Sequence, residues 1–149
     1  MHIQVDQSGK IERTQRNTAL ALSNEIEYAV LFLAVEKRES VARLRQRGES
    51  GKTLYLKLFA AALFLLLEDH LDQLDEIVID QEYPGKESQI RELLLNHIWK
   101  VSSSFSRERI VFRQIGKKSP AHRKALAVYR GKARADRKIR ARDILRLLK

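Results

Sequence analysis

The sequence predicts an α/β domain on a five-stranded mixed sheet, in the order β-β-β-α-β-α-β-α, with a central buried helix and flanking helices. Three observations predict it. Short apolar stretches joined by brief links fill the first 33 residues, the pattern of an antiparallel meander. The stretch Thr53–Leu74 is apolar nearly all round, as a helix buried on several sides must be. Two later β-rich runs each follow a helix, so they rejoin the sheet by right-handed crossovers. A chain of 149 residues, 44% hydrophobic with 6 Gly and 2 Pro, makes one domain (residues 1–149) with a real core.

The elements follow in order. Ile3-Gln4-Val5-Asp6 alternates and meets the turn Gln7-Ser8-Gly9-Lys10. Thr18–Ser23 and Glu27–Leu33 are the second and third strands, and the polar link from Lys10 to Asn17 leaves the first hairpin open or twisted. Glu36–Gln46, with Val41 and Leu44 on one face, reads as a short surface helix that Gly48 stops. After the central helix, Glu76–Asp80 is a buried strand ending in an acid, and Tyr83-Pro84-Gly85 breaks it. Lys86–Val101 is amphipathic through Ile90, Leu93, Leu94 and Ile98, and Arg109–Ile115 is the fifth strand. Ser119 is placed as an N-cap before Pro120, and this helix runs to about Arg130, where Gly131 ends it. A mobile segment, Lys132–Arg140, and a short helix, Asp143–Leu148, complete the chain.

Charge is unevenly spread. The net charge is +10, yet residues 107–149 hold 16 Lys and Arg against 3 acids. A positive field this concentrated, from about residue 116 onward, attracts a polyanion, and nucleic acid is the natural one. A solvated basic tail, or a charged surface suited to high temperature, is the competing reading. Cysteine is absent, which excludes disulfides, Cys-ligated zinc and thiol nucleophiles. The opening residues lack a signal-peptide pattern, and the longest uncharged apolar run, Leu58–Leu67, is half a membrane span. The expectation is a cytoplasmic domain without a membrane partner, its oligomeric state open and a homodimer included.

Two acids carry the chemistry. Asp6 closes the first strand run, Ile3–Asp6, and Asp80 ends the fourth. In the fold that the resemblance named next implies, these strands are parallel neighbours, and acids at or near their carboxyl ends would meet where ligand sites on such sheets gather. The element order and these acids resemble the ribonuclease H-like (retroviral integrase) superfamily, whose first and fourth strands carry metal-binding aspartates. Asp6-Gln7-Ser8-Gly9 is similar to the Asp-Glu-Ser-Gly opening of an uncharacterised branch of that superfamily, with Gln7 in place of Glu. The resemblance implies a metal-dependent nuclease using Mg²⁺ or Mn²⁺ on DNA or RNA, with a late acid completing the cluster. Asp136 lies where that acid would sit.

Phosphodiester hydrolysis benefits from two divalent ions roughly 4 Å apart, and magnesium prefers carboxylate oxygens. Asp6, Asp80 and Asp136 are therefore the expected catalytic and metal residues. Lys117, Lys118, Arg123, Lys124, Lys132, Arg134, Arg137, Lys138, Arg140 and Arg142 are the expected phosphate contacts. The competing readings are local: an Asp just past a strand is also a turn former, and Asp136 also neutralises basic neighbours. A fourth acid is harder to find. Glu68 and Asp69 lie roughly 22 Å along the helix from its amino end, Glu49 precedes the helix, and Glu82 is a substitute beyond the fourth strand. Gly116-Lys117-Lys118-Ser119 resembles an anion site without P-loop glycines. His122 reads as a helix-surface histidine within reach of phosphate; His2, His70 and His97 lack metal spacing; Trp99, Tyr55 and Tyr83 read as packing residues. A non-catalytic nucleic-acid-binding protein with a degenerate site, and an adaptor for an acidic partner, are the alternative functions.

Overall fold

A computed structural model describes residues 1–149. Its sheet has six strands: β1 (His2–Ser8), β2 (Thr18–Asn24), β3 (Glu27–Phe32), β4 (Glu76–Asp80), β5 (Ile110–Arg113) and β6 (Arg137–Ile139). They lie in the order β5-β4-β1-β2-β3-β6. Only β2 runs against its neighbours; the pairs β1–β4, β4–β5 and β3–β6 are parallel. The helices are α1 (Ala34–Gln46), α2 (Gly51–Leu67), α3 (Glu87–Val101), α4 (Pro120–Tyr129) and α5 (Ala141–Leu147). No helix is long and apolar enough to cross a membrane.

The alternation Thr18-Ala19-Leu20-Ala21-Leu22 sorts the two sheet faces. Strand side chains point alternately up and down. Leu20 and Leu22 therefore join Ile3, Val5, Ile77 and Ile79 in the main core with α2 and α3. Ala19 and Ala21 face the other way, with Ala29, and their small side chains let α4 settle close through Ala125 and Val128. In α2, Leu54, Leu58 and Leu63 are fully buried, as expected of a helix apolar on most sides.

Three expectations are corrected. The sheet has a sixth strand, because the segment expected to be mobile pairs Arg137–Ile139 with Val30–Phe32 of β3. The α-helix expected to reach Leu74 ends at Leu67 and tightens into a 3₁₀ turn at Glu68–Gln73, where polar residues replace the apolar run. Helix α1 is not a simple surface helix: Lys37 is fully buried. Its ammonium donates to the carbonyls of Lys10, Arg13 and Arg16 and to Thr18 Oγ1, at 2.8–3.2 Å. One lysine thus ties together three carbonyls of the β1–β2 loop, two of which also accept N–H bonds from within the loop. Burial pushes this amine down to about 8. The same loop needs glycine at position 9, where φ is +77° and a Cβ would overlap Asn17 O and the Tyr129 ring.

Candidate metal centre and its basic rim

Strand register brings the first two acids together. Val5 pairs with Ile79 across the parallel β1–β4 ladder. The next residue on each strand, Asp6 and Asp80, is then level with its counterpart on neighbouring strands roughly 4.8 Å apart. Val5 and Ile79 point into the main core, so both aspartates point to the α4 side. Beyond β4 the chain turns, with Glu82 N–H donating to Asp80 O at 2.9 Å, and this returns the Glu82 carboxyl to the same place. Oxygens of Asp6, Asp80 and Glu82 lie within 4.8 Å of one another.

The surroundings favour neutralising this cluster. Asp6 Oδ1 accepts from Gln7 N–H at 2.8 Å, and His122 Nδ1 lies 2.6 Å from Asp6 Oδ2, where an imidazole N–H donates to the carboxylate. Asp80 Oδ1 accepts from Ile115 N–H at 3.0 Å, which explains why β5 stops at Arg113 and turns in. Burial raises the Asp6 carboxyl above its ordinary range despite the opposing bonds to Gln7 and His122. Glu82 is pushed up to about 8 by burial first, then by hydrogen bonding to Asp80 and the negative charges of Asp6 and Asp80. A cleft of about 260 Å³ opens over the three acids, with Lys117 and His122 on its wall. Three convergent carboxylates of one sign form a hard-oxygen donor set that fits Mg²⁺ or Mn²⁺.

The remaining expected site residues divide. Asp136 does not join the cluster. Its Oδ2 accepts from Ala29 N–H at 2.8 Å and its own N–H donates to Ala29 O, so it anchors the start of β6. Ala29 pairs with Ala21, and Ala21 with Asp6; three strand spacings, roughly 14 Å, therefore separate Asp136 from the cleft. The third acid that lies with Asp6 and Asp80 is Glu82. Lys117 lines the cleft, and Lys118 and Arg123 are exposed beside it in the chain. Lys124 pairs with Glu27 at 3.2 Å, and Arg137 with Glu68. Lys132, Arg134, Lys138, Arg140 and Arg142 are exposed on the segment carrying β6, at the opposite edge of the sheet from β4 and β5. The basic segment is thus split, and only its first part rims the acids.

Two features were hidden from the sequence reading. His122 is half-buried against Asp6, 116 positions away, and no local pattern signals such a pair. Glu49, near the right end of α2, is held by Lys57 at 2.7 Å. Trp99 does pack, donating its indole N–H to Phe105 O at 2.8 Å. No protein-family model, curated protein or solved structure matches the chain.

Proposed function

We propose that the protein is a metal-dependent nuclease of the ribonuclease H-like kind, cutting nucleic-acid phosphodiester bonds at the Asp6–Asp80–Glu82 cleft. The observation that carries this reading is the convergence of three carboxylates where the parallel β1–β4 ladder ends. Further support comes from the meander followed by β4 and β5, each added in parallel after a helix, and from the cationic rim begun by Lys117. Asp6, Asp80 and Glu82 would hold Mg²⁺ or Mn²⁺, which when bound supplies activation of water and charge stabilisation at the phosphoryl oxygens. The chain's own groups do the rest. His122 orients Asp6 through its 2.6 Å hydrogen bond. Lys117, Lys118 and Arg123 draw the phosphate backbone to the cleft. The Ile115 N–H holds Asp80 in place through Oδ1.

One observation favours the non-catalytic alternative. Gln7 stands where the resembling branch has a Glu, and its side-chain amide bonds the Tyr83 hydroxyl at 3.3 Å instead of supplying a carboxylate. Cleavage assays with Mg²⁺ or Mn²⁺ on single-stranded, duplex, hybrid and branched substrates separate the two. Metal-dependent cutting abolished in Asp6→Asn and Asp80→Asn supports the nuclease. Salt-sensitive binding without cutting of any substrate supports the degenerate site. Negligible binding at low salt removes both and leaves the adaptor.

A further inference from the structure

A second cavity, of about 550 Å³, opens beside the acid cleft, and Glu82 lines both. Its chemistry differs. Tyr55, Leu56, Tyr83 and Pro84 give it carbon walls, the exposed Lys52 and Lys86 add two ammonium groups, and Glu12 and Glu82 add two carboxyls, the first bonded by the Tyr83 hydroxyl. The Tyr83 ring is fixed: it packs edge-on to Phe59 at 5.0 Å, and its hydroxyl bonds Gln7 and Glu12. Tyr55 stands on the first turns of α2, its hydroxyl bonded by Arg45 at 3.4 Å. Rigid aromatic walls lose little entropy on binding a flat apolar group, and the volume is within the range of small-molecule sites.

We propose that this cavity holds an unpaired nucleobase of the strand whose phosphate lies on the acid cleft, with Lys52 and Lys86 holding the phosphates that flank it. The inference rests on the nuclease reading for the position of that strand, and it deepens it by naming the substrate as single-stranded or locally unpaired nucleic acid. The aromatic walls, the two lysines and the Glu82 wall shared with the acid cleft select this occupant. A carbon-walled slot with two lysines suits a base with its phosphodiesters, and an adjoining phosphate of the same strand would reach toward the acid cleft that shares Glu82. A base held in a duplex keeps its stacking partners and stays out. Base–aromatic stacking tolerates any sequence, so the slot selects strand state, not sequence.

The test measures binding in EDTA, where no metal supports cutting, by anisotropy of a labelled single-stranded decanucleotide against an abasic strand of equal length. The intact strand is expected to bind on the order of tenfold more tightly than the abasic strand, and Tyr55→Ala to erase that preference. The surface double variant Lys52→Glu/Lys86→Glu is expected to weaken both strands and reduce the single-strand salt slope by about 1.4, for two phosphate contacts. Equal binding of intact and abasic strands by the wild type overturns the proposal, and that comparison needs no variant to fold. A base preference that survives in folded Tyr55→Ala overturns it as well. Base preference without metal-dependent cleavage would keep the slot and remove the nuclease, whereas cleavage without base preference would remove the slot alone.

Discussion

Asp6 and Asp136 are both aspartates on one sheet, and the contrast between them shows what makes an acid available for chemistry. Asp6 lies inside the sheet, where register forces it against Asp80 and a turn adds Glu82. Like charges held together in a buried place are relieved by a proton, as the raised Asp6 and Glu82 carboxyls show, or by a bound cation. Asp136 lies three strands away, and its Oδ2 accepts a backbone N–H that an edge would otherwise leave without a partner. The first shares its place with two further carboxyls over an open cleft; the second is bonded into the sheet.

The comparison can be broken by substitution. Replacing Asp80 or Asp6 with Asn should lower metal-dependent cleavage by more than about 100-fold, beyond the usual cost of losing an outer-sphere partner of a metal ligand. The same assay on Asp136→Asn should return wild-type rates, measured below its melting temperature. If Asp136→Asn abolishes cutting while the fold persists, the distinction between the two acids is wrong.

Stability measurements sharpen it. Lys37→Met removes a buried ammonium from four acceptors and should cost about 3 kcal/mol by denaturant titration, more than any other single change considered. Asp136→Ala frees the Ala29 N–H at the β3–β6 junction and should cost about 1 kcal/mol. A smaller effect is expected from pH. Because Glu82 has a folded pKa of about 8, above its ordinary value of 4.5, the folded state holds its proton longer than the unfolded chain. Its contribution is complete below the ordinary value and is lost as pH rises through about 8. Melting curves of metal-free protein between pH 5 and 8 should therefore slope downward, and Glu82→Gln should flatten them. The Lys37 titration, displaced downward from 10.5 to about 8, acts with the opposite sign and above this window.

Local patterns made much of the fold legible. The Ala/Leu alternation of Thr18–Leu22 marks both a strand and its two unequal faces, and Ser119-Pro120 marks the start of α4, where Ser119 Oγ accepts Ala121 N–H at 3.2 Å. Asp6 and Asp80 could be read together through the resemblance because each closes a short apolar run, although β1 continues to Ser8. Glu82 was visible only as a substitute, since its arrival depends on how the chain turns after Asp80. Asp136 was misplaced because a three-residue strand in an Arg/Lys-rich stretch has no apolar period to announce it. Lys37 lies in the Glu36–Gln46 stretch read as a surface helix; its burial depends on the loop carbonyls of Lys10, Arg13 and Arg16, which the folded sheet brings to it.

The most direct test of the shared cation site is calorimetric titration of Mn²⁺ into the intact protein, the Asp80→Asn variant and the Asp136→Asn variant. Binding present in the first, lost in the second and kept in the third is the predicted result. Equal binding by the wild type and Asp80→Asn, or binding lost on changing Asp136 in a folded protein, would contradict it.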